Sequence, residues 1–306
     1  MSASETVIPP GTSPLAHAAA RPRILIAGLA IAAGLFLTLL WDPNFVDKVV
    51  GQGIAHAVLG DANLATAGWL GSLVVAAVTG LAGTFTACNV ACFASLGPLA
   101  ASNRGGTPGR WALVRVASGQ LGAMAIGQMI VAALYGAVVV LSARSLPMLD
   151  SQSTGGIPPR LGQASVINVM LGVGLIIVAT LYLRGRSLRP GRGSLIAFGA
   201  LLGLLLVGRP YPMFRDVLEQ AAASGNVLGG SAMMILVVLG NMVLISVLFL
   251  GFIALAGPAL QRFSTARPRV LLTIAGALLL IMGVFSVAYW GVRVPSMFGV
   301  LWFSRL

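Results

Sequence analysis

The chain has two cysteines, Cys88 and Cys92, which stand four residues apart in the stretch 84–98. On a helix this spacing places both thiols on one face, one turn apart. Nearby glycines and Pro98 loosen a helix or let another backbone come close. A thiol pair beside a helix that is easily broken is therefore the first candidate for chemistry in this sequence.

Three interpretations of the thiol pair remain open. The thiols could exchange disulfides, although Cβ atoms that point the same way on one helix strain such a bond unless the helix breaks. Two thiolates on one face could instead bind Cu(I), Hg(II) or a sulfur species, and some of the eleven methionines could add thioether ligands. In the third interpretation the cysteines pack as small hydrophobic residues.

The composition predicts an all-α polytopic membrane protein. Charged residues make up 8% of the 306 residues and hydrophobic residues 58%, whereas a soluble domain carries roughly 25% charged residues. The net charge of +12 comes from arginines spread between apolar runs, so it indicates membrane topology and not a nucleic-acid partner. Two cysteines and two histidines form no zinc cluster, and we expect neither a metal nor a cofactor.

The hydropathy pattern divides the chain into an N-terminal anchor and six later spans. We expect residues 1–20 to be disordered and residues 21–63 to form an anchor helix and an outside loop. The anchor, Ile24–Trp41, stays uncleaved because no small-x-small cleavage site precedes its end. Each span holds the roughly 20 apolar residues that cross a membrane. The later spans are at about 65–98, 113–143, 164–183, 194–214, 230–257 and 270–291.

The arginine distribution predicts the orientation of these seven spans. Most of the 19 Lys and Arg residues fall in loops that are inside if the N-terminus is inside, which agrees with the positive-inside rule. Leu306 would then be outside. The six later spans form two similar sets of three, residues 64–190 and 191–306. Three spans per set is an odd number, so the sets run in opposite senses, as in the inverted repeats of many carriers.

The second half resembles the DsbD/CcdA transmembrane family. The stretch Gly203–Gly251, with its segments Gly208–Phe214 and Ala221–Leu228, is similar to the fourth and fifth spans of that family. The segment Gly276–Gly283 resembles the last span. The resemblance implies a thiol-disulfide electron carrier of the cytochrome c maturation type in a bacterial-type inner membrane. Its implied partners are a cytosolic thioredoxin and an outside thioredoxin-like acceptor.

The chain departs from the family pattern, which has one cysteine per half, each within Pro-Cys-x-x-Pro. In the first half Cys92 and Pro98 match the pattern, while Ala91 and Ser95 replace the bracketing prolines. In the second half Pro212 matches, so Arg209 occupies the position of the second cysteine. The pair that crosses between the halves is therefore absent. What remains is the pair Cys88 and Cys92 within one half, which the family pattern does not require. We expect this pair and Arg209 to carry the chemistry, with Asn89, Pro98, Pro210 and Pro212 around the substrate.

Arg209 is expected to face the protein interior, because a charge in a membrane span is costly and indicates function by default. The resemblance implies that it approaches Cys92 from the opposite half. Its guanidinium would favour a thiolate or hold an anionic substrate. Alternatively, Arg209 lies at the outer interface with Arg215 and Glu219. The polar residues within spans, among them Thr84, Asn168 and Asn241, are expected to form hydrogen bonds between helices.

Two functions follow from this sequence. One is a thiol-disulfide electron carrier that has diverged from the DsbD/CcdA plan. The other is a membrane transporter or binder of a thiophilic metal ion or a sulfur species, which would use Cys88 and Cys92 as ligands.

Overall fold

The chain is all-helical wherever the computed structural model describes it, and no strand occurs in those residues. The described residues are 14–41, 53, 68–85, 110–142, 145–147, 149, 156–185, 191–209 and 212–299. The predicted all-α class is therefore confirmed. The helices are α1 (Pro14–Leu40), α2 (Gly68–Ala82), α3 (Arg110–Leu141), α4 (Pro159–Leu183), α5 (Arg192–Val207), α6 (Pro212–Ser224), α7 (Val227–Ala266), α8 (Pro268–Ala288) and α9 (Val294–Met297).

Five of these helices are long and apolar enough to cross a membrane. They are α1, α3, α4, α7 and the continuous helical stretch that contains α8. The predicted multi-pass membrane protein is confirmed at this level. Helices α2 and α5 are apolar but shorter, and they stand where two further spans were predicted. The count of seven spans, their orientation and the two repeats therefore stay predictions.

Two helix boundaries differ from the predicted ones. Helix α1 begins at Pro14, inside the segment that we expected to be disordered, because its alanine-rich start has high helix propensity. Helix α5 ends at Val207, whereas the predicted span continued to residue 214. Proline lacks a backbone N–H and is favoured in the first turn of a helix. Pro212 accordingly begins the new helix α6.

The bundle is built around the contact between α3 and α7. Helix α5 packs along α3, helix α2 packs along α7, and α4 and α8 form a second pair that α1 covers. Glycines permit the closest approaches. A Cβ atom on Gly80 would overlap the carbonyl oxygen of Val237, and one on Gly240 would overlap that of Ala77. Small residues at such contacts are typical of helix association in membranes.

Helix α1 is part of the bundle and not merely a tether. Gly34 faces the carbonyl oxygen of Ile281 in α8 so closely that a Cβ atom would be 2.7 Å from it. At the other end, the Arg293 guanidinium donates hydrogen bonds to the carbonyl oxygens of Thr38, Leu39 and Trp41. These carbonyls have no partner within α1 because the helix ends there. Arg293 therefore caps the C-terminus of α1 and fixes it to the end of α8.

The glycine contacts lead to a test with a matched control in the same helix. Gly240→Ala should lower the free energy of unfolding by about 1–3 kcal/mol, because the added methyl group meets the α2 backbone. Gly251→Ala, where nothing lies within 4 Å of the added methyl group, should be neutral or slightly stabilising. The measurement is SDS-induced unfolding of the purified protein in micelles. Equal effects of the two substitutions would contradict the close packing of α2 on α7.

Candidate functional site

Two helix ends meet at the candidate site. Helix α2 stops at Ala82 and continues as one 3-10 turn, Gly83–Phe85. Helix α5 stops at Val207, and Arg209 follows two residues later. The guanidinium of Arg209 extends from the second helix end to the first and to Asn241 in α7. The site therefore combines segments that are far apart in the sequence.

Arg209 is buried, with 8% of its surface exposed. Its Nη2 donates a hydrogen bond of 3.0 Å to the carbonyl oxygen of Gly83 and one of 3.4 Å to Oδ1 of Asn241. A Cβ atom on residue 83 would overlap Nη1 and lie 2.8 Å from Cζ of the arginine. A glycine at residue 83 therefore leaves the space that the guanidinium occupies.

The polar groups freed by the helix ends are satisfied by side chains of neighbouring helices. The Nε2 group of Gln163 donates to the carbonyl oxygen of Val207 at 3.0 Å. The Nδ2 group of Asn168 donates to the carbonyl oxygen of Gly208 at 3.2 Å. In addition, the Thr84 hydroxyl in the 3-10 turn donates to the backbone oxygen of Asn241 inside α7 at 3.4 Å, which joins the end of α2 to α7. Broken helices are tolerated at membrane depth when neighbours satisfy the exposed backbone in this way.

The guanidinium lies close to the middle of the longest apolar helix. Asn241 stands 14 residues after Val227 and 16 residues before Gly257, which bound the apolar stretch of α7. A position near the centre of such a stretch is the most costly place for a charge in a membrane protein. Arg209 is therefore buried beside the middle of the apolar stretch of α7, and its depth in the membrane stays a prediction.

The charge on Arg209 has no counter-ion among the described residues. Of the seven acidic residues of the chain, only Asp216 and Glu219 lie in the described ranges. Glu219 pairs with Arg215 at 2.7 Å on the exposed side of α6. Burial, and then the neighbouring Glu219 carboxylate, raises the pKa of Asp216, while Arg215 opposes this shift. Nε and Nη1 of Arg209 are buried and find no hydrogen-bond acceptor in the described part of the chain.

The predicted site residues fall into two groups. Arg209 lies inward as expected, and Pro212 is the first residue of α6. The remaining ones lie outside the described residues, so their roles and the proximity of Cys92 to Arg209 stay predictions. They are Cys88, Asn89, Cys92, Pro98 and Pro210.

The sequence analysis found part of the surrounding network. Hydrogen bonds between helices were expected for Thr84, Asn168 and Asn241, and the structure confirms them. Gln163 was missed, although an amide near the start of an apolar helix is a usable signal for such a bond. Gly83 is one of the glycines near the cysteines that were expected to loosen a helix or let another backbone come close, and its contact with Arg209 has no local signature.

The chain has no recognisable relative in the comparisons with known proteins. No protein-family model matches it, and neither a curated protein nor a solved structure is significantly similar to it.

The electrostatics of the site generate a prediction about thiol reactivity. Arg209→Ala should slow the alkylation of Cys92 at neutral pH, because the positive charge that favours the reactive thiolate is lost. At the predicted proximity, taken as about 10 Å, a unit charge at an effective dielectric constant of about 20 contributes about 1.7 kcal/mol, so we expect roughly a tenfold effect. Arg209→Lys should slow the reaction less.

The matched control is Arg215→Ala, which removes an arginine that is already paired with Glu219 and should leave the rate unchanged. The measurement is the rate of modification by an uncharged maleimide, with Cys88 replaced by Ser. The same rate in all three arginine variants would show that Arg209 has no influence on the thiol.

Proposed function

We propose that this chain is a multi-pass membrane thiol-disulfide electron carrier that resembles the DsbD/CcdA family. Its redox group is the Cys88/Cys92 pair, and Arg209 supplies the positive charge that faces it. One observation carries the proposal: a buried guanidinium without a counter-ion in the described residues contacts Gly83, five residues before Cys88.

Covalent geometry limits how far the two thiols can lie from the end of α2. Cys88 follows Phe85 by three residues, so its Cα atom lies within about 11 Å of that of Phe85. Cys92 follows by seven residues, which sets a limit of about 25 Å. A thiolate from either cysteine would provide the negative charge that Arg209 lacks among the described residues.

The helix contacts support two inverted repeats, one formed by α2, α3 and α4 and the other by α5, α7 and α8. The first helix of each repeat packs on the second helix of the other, as α2 does on α7 and α5 on α3. The two second helices pack on each other, and so do the two third helices, α4 and α8. Exchanging the repeats leaves this set of contacts unchanged.

The helix directions support the same arrangement. Gly136 approaches Gly230, while Leu113 lies beside Gly257, so α3 and α7 run antiparallel. In contrast, the first helix of each repeat runs parallel to the second helix of the other repeat, on which it packs. Helix α2 runs parallel to α7, and α5 runs parallel to α3. Each first helix is also short and ends in a break, after Ala82 and after Val207. Carriers built from inverted repeats place their sites where such broken helices meet.

The proposed reaction transfers two electrons and two protons in two exchanges. The dithiol of a reduced cytosolic thioredoxin attacks the Cys88–Cys92 disulfide through a mixed disulfide and leaves as the oxidised protein. Cys88 and Cys92 are then both reduced. They reduce in turn a disulfide of an outside thioredoxin-like acceptor, and the Cys88–Cys92 disulfide forms again. Arg209 would favour the attacking thiolate in the second exchange.

The positive charge favours this function over the binding of a thiophilic metal ion. A fixed guanidinium repels Cu(I) or Hg(II), and the described residues contain no acidic group that offsets it at this place. The same charge attracts anions, so the sulfur-species form of the alternative function is still compatible with the site.

The test of the proposed function is electron transfer across a vesicle membrane. The protein is reconstituted in liposomes that enclose an impermeant aromatic disulfide dye, and thioredoxin with its reducing system is added outside. We expect reduction of the enclosed dye with the native chain and none with Cys88→Ser or Cys92→Ser, because the two thiols act as one unit. Full dye reduction by either single variant would contradict the proposal.

A further inference from the structure

We propose that the guanidinium of Arg209, between the helix ends at Gly83 and Gly208, is the anchor of a binding site for a small inorganic oxyanion. This inference goes beyond the proposed electron transfer and does not require the thiols. It rests on a side chain that is 92% buried and that keeps N–H groups without an acceptor among the described residues.

The free donors of Arg209 are held in a fixed orientation. Nη2 uses its hydrogens on Gly83 and Asn241, which fixes the plane of the guanidinium. Nε carries one hydrogen and Nη1 carries two, and neither atom has an acceptor in the described ranges. Buried donors without a partner are costly and rare in proteins, so a bound acceptor is the expected complement.

The charge of the site selects an anion. No acidic residue in the described ranges forms an ion pair with Arg209, and Glu219 on α6 is already paired with Arg215. A guanidinium forms its strongest hydrogen bonds with the oxygens of oxyanions, which accept several N–H groups together. A cation would meet uncompensated positive charge in the same place.

The packing limits the ligand to a small one. About one helical turn before Gly83, the backbones of α2 and α7 are in contact, since a Cβ atom on Gly80 would overlap the Val237 oxygen. On the other side, Ile167 and Asn168 of α4 lie against Gly208. Because the donor atoms Nε and Nη1 are enclosed by the surrounding protein, a small ion such as sulfate, sulfite or thiosulfate is favoured over a bulky organic anion.

The anion and a cysteine thiolate would compete for the same positive charge. If the proposed function holds, the protein with Cys88 and Cys92 reduced binds the anion more weakly than a variant that has no thiols. The Cys88→Ser/Cys92→Ser double variant therefore provides the cleanest background, and the test of the anion site becomes independent of redox chemistry.

The experiment measures the binding of radiolabelled sulfate, and of sulfite and thiosulfate as competitors, to the full-length double variant in lipid nanodiscs. We expect saturable binding that Arg209→Gln weakens by about tenfold or more, as for the loss of a charge-assisted hydrogen bond. The affinity of the Arg209→Lys variant should fall between that of the parent and that of Arg209→Gln, because lysine keeps the charge but loses the planar donor fork. Arg215→Gln is the matched control and should bind as the parent does.

The absence of saturable binding by all three probes, or equal binding by the Arg209→Gln and Arg215→Gln variants, would overturn the anion site. If Arg209→Gln does not fold, Arg209→Lys decides, and unchanged affinity in that variant would contradict the proposal. Dye reduction by the native chain without anion binding would overturn this inference and leave the electron carrier standing. Anion binding without dye reduction would support the anion site and contradict the electron carrier.

Discussion

The hydrogen bond from Nη2 of Arg209 to the carbonyl oxygen of Gly83 joins two apolar helices that both stop before they have the length of a usual span. The guanidinium needs this contact. The carbonyl lies where a helix has ended, and a charged side chain inside a helix bundle must find acceptors or cost much of the stability. The contact therefore explains why a charge and two helix ends occur together at one place.

Neighbouring helices bond the carbonyl oxygens that the end of α5 leaves without helical partners, and their close packing positions Asn241. Gln163 and Asn168 bond the carbonyl oxygens at the end of α5, and the glycine contacts between α2 and α7 bring Asn241 within reach of the guanidinium. The described acceptors satisfy Nη2 alone. The proposed thiolate and the proposed oxyanion are two answers to the same physical requirement, a negative partner for a buried positive charge.

Long apolar runs made the spans of α3, α4 and α7 predictable, because length and hydropathy alone define a helix that crosses a membrane. The inward position of Arg209 was predictable from the cost of a charge in lipid. Its partners were not, because Gly83 and Asn241 are 126 and 32 residues away in the sequence. The end of α5 was misplaced for a local reason: Pro212 starts a new helix after a break, and it does not kink a continuous one.

The most direct test of the central contact is a double-mutant cycle between Gly83→Ala and Arg209→Ala, read as free energies of unfolding in micelles. In the native background the added methyl group displaces the guanidinium and costs stability, whereas the loss of the arginine side chain removes the three atoms that lie nearest to that methyl group. We predict a coupling energy of about 0.5–3 kcal/mol, with the cost of Gly83→Ala largely abolished in the Arg209→Ala background. The same cost in both backgrounds would contradict the account, because the two helix ends would then not meet at Arg209.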